Sequence, residues 1–262
     1  MTLDFLLAPP FPVSLGQHSG SITAGARFGK GGGHMSRTLM LEELTALLEN
    51  GGRSTFEELR RRVVQDNCLG KATLATRKSS FQRLRELYGL DSGLPLFAAL
   101  LYFWHLDPVG HPLLAMELAL ARDPLFRCSA APILASIPGV NVAKPDFMKA
   151  IEAATGGAYG ESMIDKIARH TAASWGQTGH LSGRVFKVRQ RVAPTPAVVA
   201  FAAYIGHCCG LRGEALFVTV FARLLDTPYE SLLVLAAEAN RLGFLSFRQT
   251  GGVIDVSFPA LA

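Results

Sequence analysis

From residue 36 onward, apolar side chains return every three to four positions, the period of an amphipathic helix. Leu39, Leu41, Leu44, Leu47 and Leu48 fall on one such face. Ser54, followed three residues later by Glu57, predicts a capping box opening a helix that runs to about Gln65. After the turn NCLGK a third helix is expected from about Thr73 to Tyr88, with Leu74, Phe81, Leu84 and Leu87 inward and Gly89 as its stop. The middle of the chain is more apolar. Pro and Gly breaks divide it into helices expected at 94–105, 112–122, 125–136, 145–155 and 161–175. The tract WGQTGHLSGRVFKVRQRV, 175–192, reads as irregular or extended. Pro194 and Pro196 then reset the chain before a buried helix, 196–209, and another, 213–225.

In the last forty residues, Asp226 or Thr227 is expected to cap a helix that starts at Pro228 and ends near Gly243. FLSFRQ and VIDVSF alternate with the period of a strand around the turn TGG, so they predict a hairpin. Helix, turn, helix, hairpin is the order of a winged helix. The fold class is therefore mainly α, a helical bundle with helix-turn-helix-like and winged-helix-like modules and a small C-terminal β-hairpin. Four regions are expected: a flexible Gly-rich arm over 1–35, a helix-turn-helix-like module over 36–92, a central helical region over 93–192 and a winged-helix-like module over 193–262. In the arm, GKGGGHMS reads either as a flexible linker or as an upstream start site, and GHMS also resembles a cloning remnant, so no chemistry is assigned there. A phosphate-binding P-loop is excluded, because no Gly-Lys-Ser/Thr follows a strand.

Composition sharpens this picture. Of 262 residues 49% are hydrophobic and only 18% charged, which excludes a wholly disordered chain and predicts a large core. The longest apolar stretches, 94–104 and 196–206, are too short for the roughly 20 residues a bilayer requires. No signal-peptide pattern is seen at the start. A soluble, cytoplasmic protein with no membrane partner is expected. The four cysteines, Cys68, Cys128, Cys208 and Cys209, form no CxxC pair and read as buried free thiols.

The net charge of +5 is unevenly placed. Residues 53–85 hold nine Lys or Arg against Glu57, Glu58 and Asp66. The third helix presents Thr73, Thr76, Arg77, Lys78 and Arg83, with Arg60, Arg61 and Lys71 just before it. Long cationic donors and short hydroxyls at a helix start suit phosphate oxygens and base edges. The plainer alternative is a solvated helix face. A second basic run spans Lys166 to Arg191. If its end is extended, Lys187, Arg189 and Arg191 share one side, with Arg184 nearby. That stripe reads equally as a phosphate contact or as a charged edge strand.

Enzyme chemistry is thinly represented. The histidines show no zinc spacing, and no GxSxG or dinucleotide fingerprint occurs. His207, Cys208 and Cys209 lie in an apolar helix and read as core. No catalytic residue, cofactor or metal is expected, and the chain reads as a non-enzyme.

SRTLMLEELTALL, then DNCLGKATLATRKSSFQRLRELYGL, and at the far end the FLSF and VIDVSF hairpin, resemble the BrxA family across roughly residues 36–258. These are small accessory proteins of bacterial BREX phage-defence islands. The resemblance implies a helical, non-enzymatic protein that binds double-stranded DNA beside a methyltransferase, an ATPase and a phosphatase-like partner. It places the contact surface on Lys71, Thr73, Thr76, Arg77, Lys78 and Arg83. Two other functions fit the sequence: an adaptor that docks proteins of a defence complex, and an RNA-binding or transcription-related helical protein.

Overall fold

The computed structural model describes residues 19–29, 31–49 and 54–261. The fold is mainly helical, with two small antiparallel hairpins. A short helix α1 (Ser19–Thr23) and a 3-10 turn (Gly33–Met35) precede α2 (Leu41–Leu48). In α3 (Phe56–Val64) the capping box is Thr55 with Glu58, one residue later than expected. The shift is explained by overlapping patterns: Glu57 and Glu58 are adjacent, and starting at Phe56 carries Leu59 and Val63 into the core. In α4 (Leu74–Tyr88), capped by Thr73, Phe81, Leu84 and Leu87 are buried as expected. Leu74 is exposed instead, because it occupies the first helical position, on the outer side of the turn.

Next come α5 (Pro95–Leu106) and α6 (His111–Arg122). The single helix expected over 125–136 is broken into α7 (Pro124–Cys128) and α8 (Ala130–Ala135). The break falls at Ser129, whose hydroxyl donates to the Phe126 carbonyl and accepts from the Trp175 indole N–H. Then follow α9 (Lys144–Thr155), α10 (Glu161–Gln177), the two-residue strands β1 (Leu181–Ser182) and β2 (Val188–Arg189), and α11 (Pro196–Cys208). The helix expected over 213–225 is instead a 3-10 turn (Gly213–Phe217) followed by the one-turn α12 (Val220–Arg223). Helix α13 (Tyr229–Arg241) starts after Pro228, with neither Asp226 nor Thr227 as its cap. The C-terminal hairpin pairs β3 (Ser246–Thr250) with β4 (Val253–Ser257).

The core is centred on α6, whose side chains from Leu113 to Arg122 are all buried. Helices α4, α5 and α11 pack around it, and α9 pairs with α10. α13 lies against α11 and carries the β3–β4 hairpin. Within α6, burial holds the Glu117 carboxyl well above its ordinary range, so it sits in the core in its neutral form. No helix among the described residues is long and apolar enough to cross a membrane.

The expected flexible arm is corrected where it is described. Residues 19–29 and 31–35 are packed against the body, whereas 1–18 lie outside the described residues. Ala24 and Ala26 are buried, Leu96 N–H donates to the Ala24 carbonyl, and Arg27 N–H donates to that of Ala121. Glycine is required here for close approach. A Cβ at Gly32 would stand 2.0 Å from Asp123 Oδ1. Gly32→Ala is therefore expected to lower the melting temperature by about 5 °C, from an overpacking cost of about 1–3 kcal/mol. An unchanged melting curve would show that the segment can move aside freely.

Candidate nucleic-acid interface

The first basic cluster is neutralised in part. Arg61 pairs with Asp66 at 2.7 Å, Lys71 with Glu43 at 2.9 Å and Arg83 with Glu86 at 3.0 Å. Arg60 reaches Glu57 only loosely, at 3.8 Å. Glu43 comes from α2, and Glu86 lies one residue past the basic segment. Counted over 41–91, nine basic residues face eight acidic ones. Thr73 and Thr76 are also committed. Each hydroxyl accepts the other residue's backbone N–H, at 3.1 and 3.2 Å, and Thr76 donates to the Thr73 carbonyl. They close the first turn of α4 rather than offering free donors to a phosphate.

Arg62, Arg77, Lys78 and Arg85 form no ion pair among the described residues, and two of them, Arg77 and Lys78, lie near the start of α4. Arg77 Nε donates to the Lys71 carbonyl at 3.2 Å, which orients the guanidinium without neutralising it. Lys78 is exposed, with no ion pair among the described residues. Both sit on the first turns of α4.

The second cluster divides. Strands β1 and β2 pair Leu181 with Arg189 and Ser182 with Val188, and Asn141 bridges to Val188 from outside. The strand is too short for the expected alternation to hold along Lys187, Arg189 and Arg191. Arg189 turns inward and is 2% exposed. Its guanidinium grips the Asp226 carboxylate through both Nη atoms, one of them at 2.9 Å, and its Nε donates to the Ile133 carbonyl at 3.1 Å. Arg189 is thus an interior anchor of the hairpin and is removed from the expected contact surface. Lys187 is half-buried beside Gly176, and Arg191 is exposed.

The hairpin tip contains the features that an interface needs. Gly183 is in the left-handed region (φ 90°), and a Cβ there would meet the Phe186 carbonyl at 2.2 Å. The resulting tight turn projects Val185 and Phe186, which are 80% and 75% exposed. Arg184 and Lys187 flank them, with no ion pair among the described residues. Ile137 and Val140, also exposed, lie on the neighbouring loop, which is tied to the hairpin by Arg189 N–H donating to the Val140 carbonyl at 2.8 Å. No hydrogen bond or ion pair among the described residues joins this tip to the α4 cations.

One constellation escaped sequence reasoning. His34 Nδ1 lies 2.8 Å from Asp123 Oδ2, and its Nε2 lies 2.9 Å from Ser174 Oγ. The order of groups is that of a Ser-His-Asp relay. His34 and Ser174 are fully buried and Asp123 is 1% exposed. Ser174 Oγ also accepts the Leu39 N–H and donates to the His170 carbonyl. A substrate has no route to that hydroxyl. The three groups cross-link the N-terminal segment, the start of α7 and α10. Burial works against the ionised Asp123 carboxyl, but the His34 imidazole and the N–H donors around it prevail and hold it below its ordinary range.

Among the described residues no group of three His, Cys, Asp or Glu is placed to hold a metal ion. Burial pushes the Cys208 thiol up to about 11 and Cys209 up to about 12, which keeps both protonated and unreactive near neutral pH. No protein-family model matches the chain, and no curated protein is significantly similar to it.

Proposed function

We propose that the chain is a non-enzymatic, cytoplasmic accessory protein that binds duplex DNA in a bacterial anti-phage system of the BREX type, alongside other proteins of that system. The BREX attribution rests on the sequence resemblance. The DNA reading rests on one observation: Arg184 and Lys187, free of carboxylate partners among the described residues, flank the exposed Val185 and Phe186 at a tight hairpin tip. Cations of this kind displace counterions from phosphates, and an apolar wedge between them can enter a minor groove. Arg191 extends this surface, and Arg77 and Lys78 on α4 form a second contact. Arg60, Arg61, Lys71 and Arg83 contribute little, because their carboxylate partners must be displaced first.

The test is fluorescence anisotropy with a random 20-base-pair duplex over a salt series. Changing Arg184, Lys187 and Arg191 together to Ala is expected to weaken binding about 10-fold or more. The log–log salt slope should shrink by about 0.9 for each phosphate that is no longer neutralised. Arg60→Ala with Arg61→Ala should stay within about 2-fold. Equal affinities for the triple variant and the parent would remove the hairpin from the interface.

A second reading, a protein adaptor, is supported by a different feature. An open groove of about 670 Å³ runs between α5 and the C-terminal residues, walled by Ala98, Leu101, Tyr102 and Leu261. Absence of any duplex binding, even at low salt, would favour it.

A further inference from the structure

Arg122 ends α6 in an unusual position. It is 8% exposed, its Nη1 donates to the Gly25 carbonyl, and its Nε is buried without a hydrogen-bond partner. Among the described residues no carboxylate forms an ion pair with it. The adjacent Asp123 is committed to His34 and to the first turn of α7. Burial, reinforced by the nearby Arg27 charge, lowers the Arg122 pKa to about 10, so it remains a cation at neutral pH. A buried cation without a counter-charge carries a substantial desolvation cost.

Arg122 forms one wall of a cavity of about 350 Å³, together with Phe56, Arg85, Gly89, Asp91 and Leu94. Arg85 is the second cation there. Its guanidinium lies over the Phe56 ring, 5.0 Å from the centroid, and makes no ion pair among the described residues. Its guanidinium N–H groups form no hydrogen bond among the described residues. Gly89 ends α4 at φ 90° and lays bare backbone beside the Arg122 guanidinium, where a Cβ would stand 3.4 Å away. Asp91 is the one acidic group of the wall, and its Oδ1 accepts the Gly93 N–H of its own turn. The wall therefore holds two guanidiniums against a single carboxylate, one oxygen of which is held by its own turn.

We propose that this cavity binds the oxyanion group, phosphate or carboxylate, of a small ligand, with the buried Arg122 and the exposed Arg85 as its two clamps. Paired guanidiniums match such groups by parallel N–H donors. The volume leaves room for further atoms beyond the oxyanion. The site shares no residue with the proposed DNA surface, so either assignment can fail without the other.

The experiment is thermal unfolding of the full chain in chloride, compared with inorganic phosphate and with acetate at matched ionic strength. At about ten times the dissociation constant, the bound anion is expected to raise the melting temperature by about 3 °C. A response to phosphate alone assigns the ligand group as a phosphate, and a response to acetate as a carboxylate. Arg85→Gln, at an exposed position, should melt within about 1 °C of the parent in chloride and lose the anion response. Arg122→Met should melt at or above the parent in chloride, because an uncompensated charge has gone, and should also lose the response. Failure of both anions to raise the parent's melting temperature overturns the proposal. So does a rise that persists in Arg85→Gln, whether or not Arg122→Met folds.

Discussion

Replacing Asp123 with Ala is expected to lower the unfolding free energy by about 3–5 kcal/mol. The carboxylate gathers four N–H groups. Oδ2 accepts the His34 backbone N–H at 3.0 Å and faces His34 Nδ1 at 2.8 Å, while Oδ1 accepts Leu125 N–H at 2.9 Å and Phe126 N–H at 3.1 Å. All four lie out of reach of water, so deletion leaves each without a partner. Loss of the α7 cap alone is worth about 1 kcal/mol, and the rest comes from the stranded His34 groups. Asp123→Asn should fall between parent and Ala, because it keeps an acceptor for the cap but turns an amide donor toward another donor. The pH dependence has a definite sign. The folded-state pKa is depressed, so this contribution is fully present above the ordinary carboxylate range and is lost as pH falls through the lowered value. Urea unfolding at pH 7 measures the loss. A change below about 1 kcal/mol would show that the polar cross-link is dispensable.

That cross-link was not legible in the sequence, for an identifiable reason. His34, Asp123 and Ser174 have no local spacing: 89 residues separate the first pair and 140 separate His34 from Ser174. Glycine-rich composition reads as flexibility, but Gly32 is glycine because a carboxylate distant in sequence presses on it. The helices were legible because their signals are local. The 3–4 period and the Gly89 stop mark α4 without outside information, whereas the capping role of Thr73 emerged only in the structure. The C-terminal hairpin was readable for the same reason, from alternation around a Gly-bearing turn. The basic surface was half legible. A window count finds the cations but does not see that Glu43 arrives from α2, or that Asp226 waits for Arg189 37 residues downstream. The alternation rule then failed at Arg189 because it presumes a strand, and β2 is only two residues long.

The same pair sets the second large effect. Asp226→Asn is expected to destabilise the fold by about 3–5 kcal/mol, because it strands the Arg189 cation at a site where both side chains are largely buried. Asn tolerates the left-handed backbone at this position (φ 54°), so the loss reports the charge and not the turn. Asp226 Oδ2 also accepts the Val192 N–H at 3.1 Å, which fixes the chain where it leaves the hairpin. No other carboxylate among the described residues pairs with Arg189, and burial drives the neighbouring His180 toward its neutral form, so it adds no second charge. Arg189→Met with Asp226→Asn should recover much of the loss relative to Asp226→Asn alone, since no ion is left uncompensated and Asn keeps the left-handed turn. Urea unfolding of the two single variants and the double variant measures the coupling, and additive losses would show that the pair does not act as a unit. The double variant also separates anchor from contact. Arg189 is buried, so a folded double variant should bind duplex within about 2-fold of the parent, while loss of Arg184, Lys187 and Arg191 removes charge that a phosphate can meet. Duplex affinity that falls with the double variant as far as with the surface triple would mean that the hairpin's placement, rather than its exposed cations, governs binding.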